Sequence, residues 1–187
     1  GGIVDSGTVT VGGNARFDSL ESGADTVLNQ LDVAGTISVM TAGPCGDVTL
    51  VNTTGIDLAA SVIDGALSVT ATTGSITDFG IITVAKDARF ETLTANEQIA
   101  LDQLDVAGRI ALFTQGTAGH ATIVNTTEVD LAASDVGGNL SVTATTGGIV
   151  DSGTVTVNGT GTFTSPQGGA DILLYELNVT GSISLMT

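Results

Sequence analysis

The sequence has no Trp, one Tyr, one His, one Cys, two Pro and only four basic residues, Arg16, Lys86, Arg89 and Arg109. Each shortage excludes something. A lone cysteine, Cys45, leaves no intrachain disulfide framework. Its surroundings are acidic, whereas a reactive thiolate needs electropositive neighbours, so Cys45 reads as a small passive side chain. Four cations against twenty acidic residues give a net charge of −16. Such a chain repels phosphate backbones and anionic lipid, which rules out nucleic acid and membrane surfaces as expected partners. No run approaches the roughly eighteen apolar residues of a membrane span, so membrane insertion is not expected either. A signal-peptide pattern is missing. No amphipathic-helix period persists beyond a turn or two. Disorder, the usual worry at this charge, is opposed by 42% apolar residues in regular alternation.

What the chain does have is glycine, 26 of 187 residues, with Thr and Val crowded between the glycines. That is the composition of many short strands joined by tight turns, an all-β fold. The opening stretch 1–11 (GGIVDSGTVTV) recurs unchanged at 147–157, and a variant, GSITDFGIITV, occupies 74–84. The offset is the same both times, from 1 to 74 and from 74 to 147, and 39 positions of the first copy are identical in the second. A gapless match of that kind marks a repeat array. The chain therefore reads as a single β-solenoid segment, 1–187, made of repeats 1–73, 74–146 and a partial 147–187. Both ends fall inside a repeat and there is no initiator Met, so the segment reads as a window on a longer array.

Within each repeat a shorter recurrence appears, with similar passages opening at Gly65, Asp87, Gly108 and Gly138. It predicts coils of three short strands, about three coils to each long repeat. The first coil has strands at 67–71, 75–77 and 81–84, the second at 88–92, 98–101 and 104–107, the third at 109–113, 121–125 and 129–133. Coils this short cannot hold a crossover helix. Each strand would instead pair with its counterpart one coil later, about 4.8 Å along the axis, forming a parallel β-helix. Leu67, Val69 and Ala71 would point inward, followed by Phe90, Ile110 and Leu112. Seven to eight coils would make a rod of roughly 35–40 Å.

The segment 138–157, NLSVTATTGGIVDSGTVTV after its leading glycine, resembles the β-strand repeats of large bacterial exoproteins akin to filamentous haemagglutinin. The resemblance runs over essentially the whole chain. It implies a right-handed β-helical rod that is extracellular, secreted or displayed on the bacterial cell surface, and that serves as fibre or adhesin shaft. Partners would be further copies of the array, or a cell-surface or glycan ligand.

Catalysis is not expected. Pectate lyases and polygalacturonases also use parallel β-helices, but their chemistry needs a cluster of acids with a basic residue or calcium. Here the only His, His120, has Asp47 as its counterpart one repeat earlier, and Arg16 and Arg89 give way to Thr162. No catalytic residue or bound cofactor is assigned. Gly147, Gly148 and Gly153 have neither the Lys nor the helix of a phosphate loop. Asp5, Asp78 and Asp151, each two residues before a Gly, read as local turn formers. Five Asn-x-Ser/Thr sequons begin at Asn52, Asn125, Asn139, Asn158 and Asn178. Thr pairs such as Thr8/Thr10 and Thr154/Thr156 are similar to the arrays of ice-binding solenoids, but Asp and Arg interrupt them.

Two surface features follow from the three-coil register. Asp32 would stack beside Asp57, and Asp105 beside Asp130. Each pair would be screened by solvent and salt or bridged by a divalent ion such as Ca2+. Along the outer end of the first strand, Leu20, Met40, Leu93, Phe113 and Met186 would form an apolar stripe, interrupted by Thr70 and Thr143. They would either tuck under a corner or serve as a lateral interface.

Overall fold

The computed structural model describes all residues, Gly1–Thr187. It is all-β, with parallel strands stacked as a β-solenoid of about nine coils, some 22 residues apart. The strands form two continuous sheets. Sheet 1 runs from Ile3–Val4 through Thr26–Val33, Val48–Asn52, Leu67–Ala71, Ala88–Thr92, Arg109–Thr114 and Val129–Leu131 to Ile149–Asp151 and Ile172–Leu173. Sheet 2 begins at Ala15–Ser19 and Thr36–Thr41 and ends at Leu140–Ala144, Gly161–Thr164 and Ile183–Met186. The chain passes through the two sheets alternately. Some passes are straight. Others bend in the middle, as where Ile76–Asp78 and Ile82–Val84 form one bent pass of sheet 2.

Alternation along the strand fills the space between the sheets. Leu67, Val69 and Ala71 point in, and Ser68 and Thr70 point out. Ala88 and Phe90 stack on Leu67 and Val69, and Ile110 and Leu112 stack on those in turn. The result is one core of 37 buried apolar residues. Stacked aliphatics exclude water along the axis without large aromatics, which is how so little Phe and no Trp suffices.

The pairing register gives a coil count different from the three-coil reading. Leu67 pairs with Ala88 and Ala88 with Ile110, so one coil is the chain between such partners. From Ile3 to its copy Ile76 the chain makes seven passes, and seven is odd. One long repeat is therefore three and a half coils, and every residue lies on the opposite sheet from its copy. Leu67–Ala71 is in sheet 1, and its copy Leu140–Ala144 is in sheet 2. The strand that stacks on Arg109–Thr114 is thus not 140–144 but the bent pass of Val129–Leu131 and Ser134–Val136. The array has a half-turn screw: rotate to the other sheet, advance three and a half coils, and the sequence repeats.

Polar groups are used mainly to tie one coil to the next. Asn52 is fully buried at the end of its strand. Its Oδ1 accepts from Val33 N at 2.9 Å, and its Nδ2 donates to Val33 O, Thr54 Oγ1 and Gly55 O at 3.1, 3.0 and 2.8 Å. Asn125, its copy on the other sheet, makes the same set with Val106, Thr127 and Glu128. These two sequons therefore have a structural origin: the Thr two residues on satisfies the buried amide. A side chain with no exposure cannot accept a glycan.

Candidate functional site

Corner residues form a second set of ties. Asn14 Oδ1 accepts from Thr36 N, Asp47 Oδ1 from Ala66 N and Asp87 Oδ1 from Arg109 N, at 3.0, 2.8 and 2.9 Å. His120 Nδ1 takes the same part, accepting from Asn139 N at 2.9 Å. The exchange of Asp47 for His120 between repeats is explained by this shared task, since both side chains offer an acceptor at one backbone N–H. Cys45 is exposed with φ of 81°, and Lys86 Nζ lies 3.4 Å from its Sγ.

Asp5, Asp78 and Asp151 are not local turn formers. Asp78 accepts from Asp102 N and Gln103 N at 3.1 and 2.9 Å, and Asp151 from Tyr175 N and Glu176 N at 2.8 and 2.9 Å. Asp5 accepts from Gln30 N at 2.7 Å. Each carboxylate clamps the bend of the following coil, where the interrupted ladder leaves N–H groups free. The sequence-local reading missed this because the partners lie a full coil ahead in the chain.

Burial pushes the Asp78 carboxyl above its ordinary 3.8, with the charge of Asp102 adding to the effect and the two N–H bonds opposing it. A raised folded-state value means the native protein holds the proton more tightly. The stability contributed by Asp78 is thus fully present below the unfolded value and is lost as pH rises through the folded one. Asp78→Asn, which cannot titrate, should remove that dependence. In urea unfolding across pH 3 to 6, roughly, the wild-type advantage over Asp78→Asn should shrink as pH climbs past 3.8. A constant difference would contradict this.

The acidic pairs are not brought together. Asp32 lies in sheet 1 opposite Thr10, and Thr53 Oγ1 donates to it at 3.0 Å. Asp57 lies in sheet 2 between Thr36 and Thr77. Asp105 lies in sheet 2 opposite Thr83 and accepts from Thr126 Oγ1 at 2.8 Å, whereas Asp130 lies in sheet 1 between Arg109 and Val150. The reason is that a coil is two passes: from one member of each pair to the other the chain advances three passes, one and a half coils, which sets them on different sheets. No group of three or more His, Cys, Asp or Glu side chains is gathered in a form that could hold a metal ion.

The apolar stripe breaks up for the same reason. Met40 and Met186 belong to sheet 2 and Phe113 to sheet 1, while Leu20 and Leu93 lie one residue past strands of sheet 2 and sheet 1 respectively. Leu20, Met40, Leu93 and Met186 are exposed, and none is tucked beneath a corner. Phe113 is half-buried between Glu91 and Asp135, with the Arg89 guanidinium 4.3 Å from its ring centroid. Met40 lies between Asp18 and Val62, and Met186 opposite Thr164.

Two surface features were not foreseen. Sheet 1 carries a trough of about 580 Å3 running along the axis, lined by small residues such as Ser68, Ala111, Ala132, Ala133 and Gly153 together with Arg89, Arg109, Asp47 and Asp87. Gly153 is required there, because a Cβ would lie 2.4 Å from Ala133 N. On sheet 2, Phe79 and Ile81 project at the bend of their pass, 77% and 56% exposed. The signal for them was present: the other two copies have Ser6 and Thr8, and Ser152 and Thr154, in their places.

Comparison with known proteins finds the same unit. Two stretches, 45–114 and 118–186, match the family described as "repeats of unknown function (DUF5649)". The chain belongs to this repeat family. The two DUF5649 matches start at 45 and 118, equivalent positions of successive repeats, so the family unit has the period of the internal repeat and begins at the corner after Thr36–Thr41. Each DUF5649 unit is then three and a half coils, and neighbouring units present their equivalent surfaces on opposite sheets. No curated protein and no solved structure matches the chain.

Proposed function

We propose that the chain is a segment of the structural shaft of a large extracellular fibre or cell-surface adhesin, built from further copies of the array joined end to end. The observation that carries this reading is the unbroken register: parallel pairing runs from coil to coil through both sheets and continues without a break across each repeat boundary, Ile56–Leu58 with Ile76–Asp78 and Val129–Leu131 with Ile149–Asp151. In a solenoid each added coil stabilises its neighbour without altering the rest, which suits a rod of any length.

Immuno-electron microscopy of intact bacteria that make the protein tests the reading. Label should follow filaments outside the cell. With whole repeats added or removed, rod length should change by roughly 17 Å per repeat, three and a half coils at about 4.8 Å each. Label seen only after lysis, or compact particles of fixed size, would contradict it. The trough on sheet 1 favours a second reading, in which the rod's side also binds a glycan through Arg89, Arg109 and the hydroxyls of Thr49, Ser68 and Ser152.

A further inference from the structure

We infer that Asn158 is a self-modification site: in the folded rod its side chain cyclises onto Gly159 and is converted to aspartate and isoaspartate. An asparagine is labile where the backbone nitrogen of the next residue can attack its amide carbon. The attack needs an unhindered nitrogen, a side chain free to turn, and water. Of the eight asparagines, only Asn158 precedes a glycine, which has no Cβ to crowd that nitrogen. Asn158 is also a departure from the repeat, since its copies are Gly12 and Ala85.

The fold separates Asn158 from the other asparagines. It is exposed, at the corner between Val155–Val157 and Gly161–Thr164, and its amide is not engaged by any neighbour. The Gly159 N–H donates to no backbone carbonyl. Asn52 and Asn125, by contrast, are buried with both amide atoms bonded. Asn14, Asn96 and Asn139 each give Oδ1 to a backbone N–H of the following coil, from Thr36, Ala118 and Thr160. The attacking nitrogen is tied down elsewhere too. After Asn29, Gln30 N donates to Asp5, and after Asn139, Leu140 N donates to Thr160 O. Asn178 is followed by Val179, whose branched side chain shields the nitrogen.

The reaction takes up one water and releases one ammonia, with no oxidant or cofactor. Gly159 N passes its proton to solvent base and bonds to Asn158 Cγ. The Cγ–Nδ2 bond breaks, and Nδ2 leaves as ammonia after taking a proton back from solvent. Water then opens the five-membered imide. Cleavage of the new Cγ–N bond gives aspartate. Cleavage of the original peptide bond gives isoaspartate, whose main chain runs through Cβ and Cγ. That product lengthens the corner by one methylene and turns the former main-chain carbonyl of residue 158 into a free carboxylate. The carbonyl accepts from Thr180 Oγ1 at 2.6 Å, and Gly159 O beside it accepts from Gly181 N at 2.9 Å. The modification therefore falls on the bonds that hold this corner to the next coil. On the other side the corner has no slack, because even a Cβ at Gly159 would run into Asn139 Oδ1 and Gly138 O.

Ageing of the full 1–187 chain at mildly alkaline pH, followed by peptic peptide mapping, tests this. Isoaspartate, read by mass spectrometry and by labelling with an isoaspartyl methyltransferase, should accumulate at residue 158 at least tenfold faster than at any other asparagine. The rate should rise with pH, since the attacking nitrogen must lose a proton. Asn158→Gly, which installs the residue of the first repeat, should keep the wild-type melt and remove nearly all of the signal. The chain aged in urea is the reference, and the folded chain should react within about threefold of it. In the isoaspartate fraction, hydrogen exchange at Gly181 N–H should be faster than in unaged protein. A folded chain that stays intact at 158 while the urea-unfolded chain reacts would overturn the inference, because the corner would then be holding Asn158 away from Gly159. So would signal spread evenly over the exposed asparagines, or unaltered exchange at Gly181 in the isoaspartate fraction.

Discussion

Asn125→Ala should destabilise the solenoid by about 3 kcal/mol, measured as a shift of the urea midpoint at constant slope. The side chain has no exposed surface. Its removal strands the buried Val106 N–H, takes from the Val106 carbonyl one of its two side-chain donors, the other being Thr127 Oγ1, and removes the side-chain donor of the part-buried Glu128 carbonyl. Each unsatisfied buried group costs about 1–3 kcal/mol, and the small cavity adds to the loss. Asn52→Ala should cost a similar amount, because the same bonds recur around it on the other sheet. The damage is expected to be local at first, since each coil depends on its neighbours and not on a single centre. Faster hydrogen exchange at Val106 N–H should therefore appear below the denaturant concentration at which the rod melts. A midpoint loss worth less than about 1 kcal/mol, with Val106 still protected, would show that the amide is not holding the two coils together.

Much of this architecture could be read from composition and spacing. Alternation at 67–71 identified which side chains face the core, and the long recurrence identified a stacked array. Strand positions such as Leu67–Ala71, Ala88–Thr92 and Ala121–Asn125 were located to within a residue. The number of coils per repeat was not accessible in the same way. A sequence period reports when the chain returns to the same chemistry, not when it returns to the same face, and a solenoid passing alternately through two sheets satisfies the pattern with a half-integral count. Everything that depended on vertical stacking inherited that ambiguity. Asp32 and Asp57 were set side by side, and Met40 was aligned with Thr70, whereas the one pair is divided between sheets and Met40 meets Asp18 and Val62. Contacts between coils were equally hard to see. Asp151 looks like a turn residue beside Gly153, and only the fold shows that its carboxylate reaches Tyr175 and Glu176. Phe79 is a different case. Its departure from Ser6 and Ser152 is visible in the sequence, but exposure decides whether such a Phe joins the core or the surface.

The half-integral coil is the feature from which the placement of every surface residue follows, and it makes an all-or-none prediction. In sheet 2, Val124 is directly opposite Thr143. In sheet 1, Phe113 is directly opposite Asp135. Paired residues on neighbouring parallel strands lie about 4.8 Å apart, inside the range of Cα separations that a disulfide tolerates. With three whole coils per repeat, Phe113 would instead neighbour Thr143. The deciding measurement is disulfide formation in three double variants of a Cys45→Ser chain, read by mass spectrometry after mild oxidation at high dilution. Val124→Cys with Thr143→Cys, and Phe113→Cys with Asp135→Cys, should each close an intrachain bridge in nearly every molecule. Phe113→Cys with Thr143→Cys should close none, because the two positions lie on different sheets with the core between them. An intrachain bridge between 113 and 143, with 124 and 143 left reduced, would contradict the half-turn screw and return the repeat to three coils.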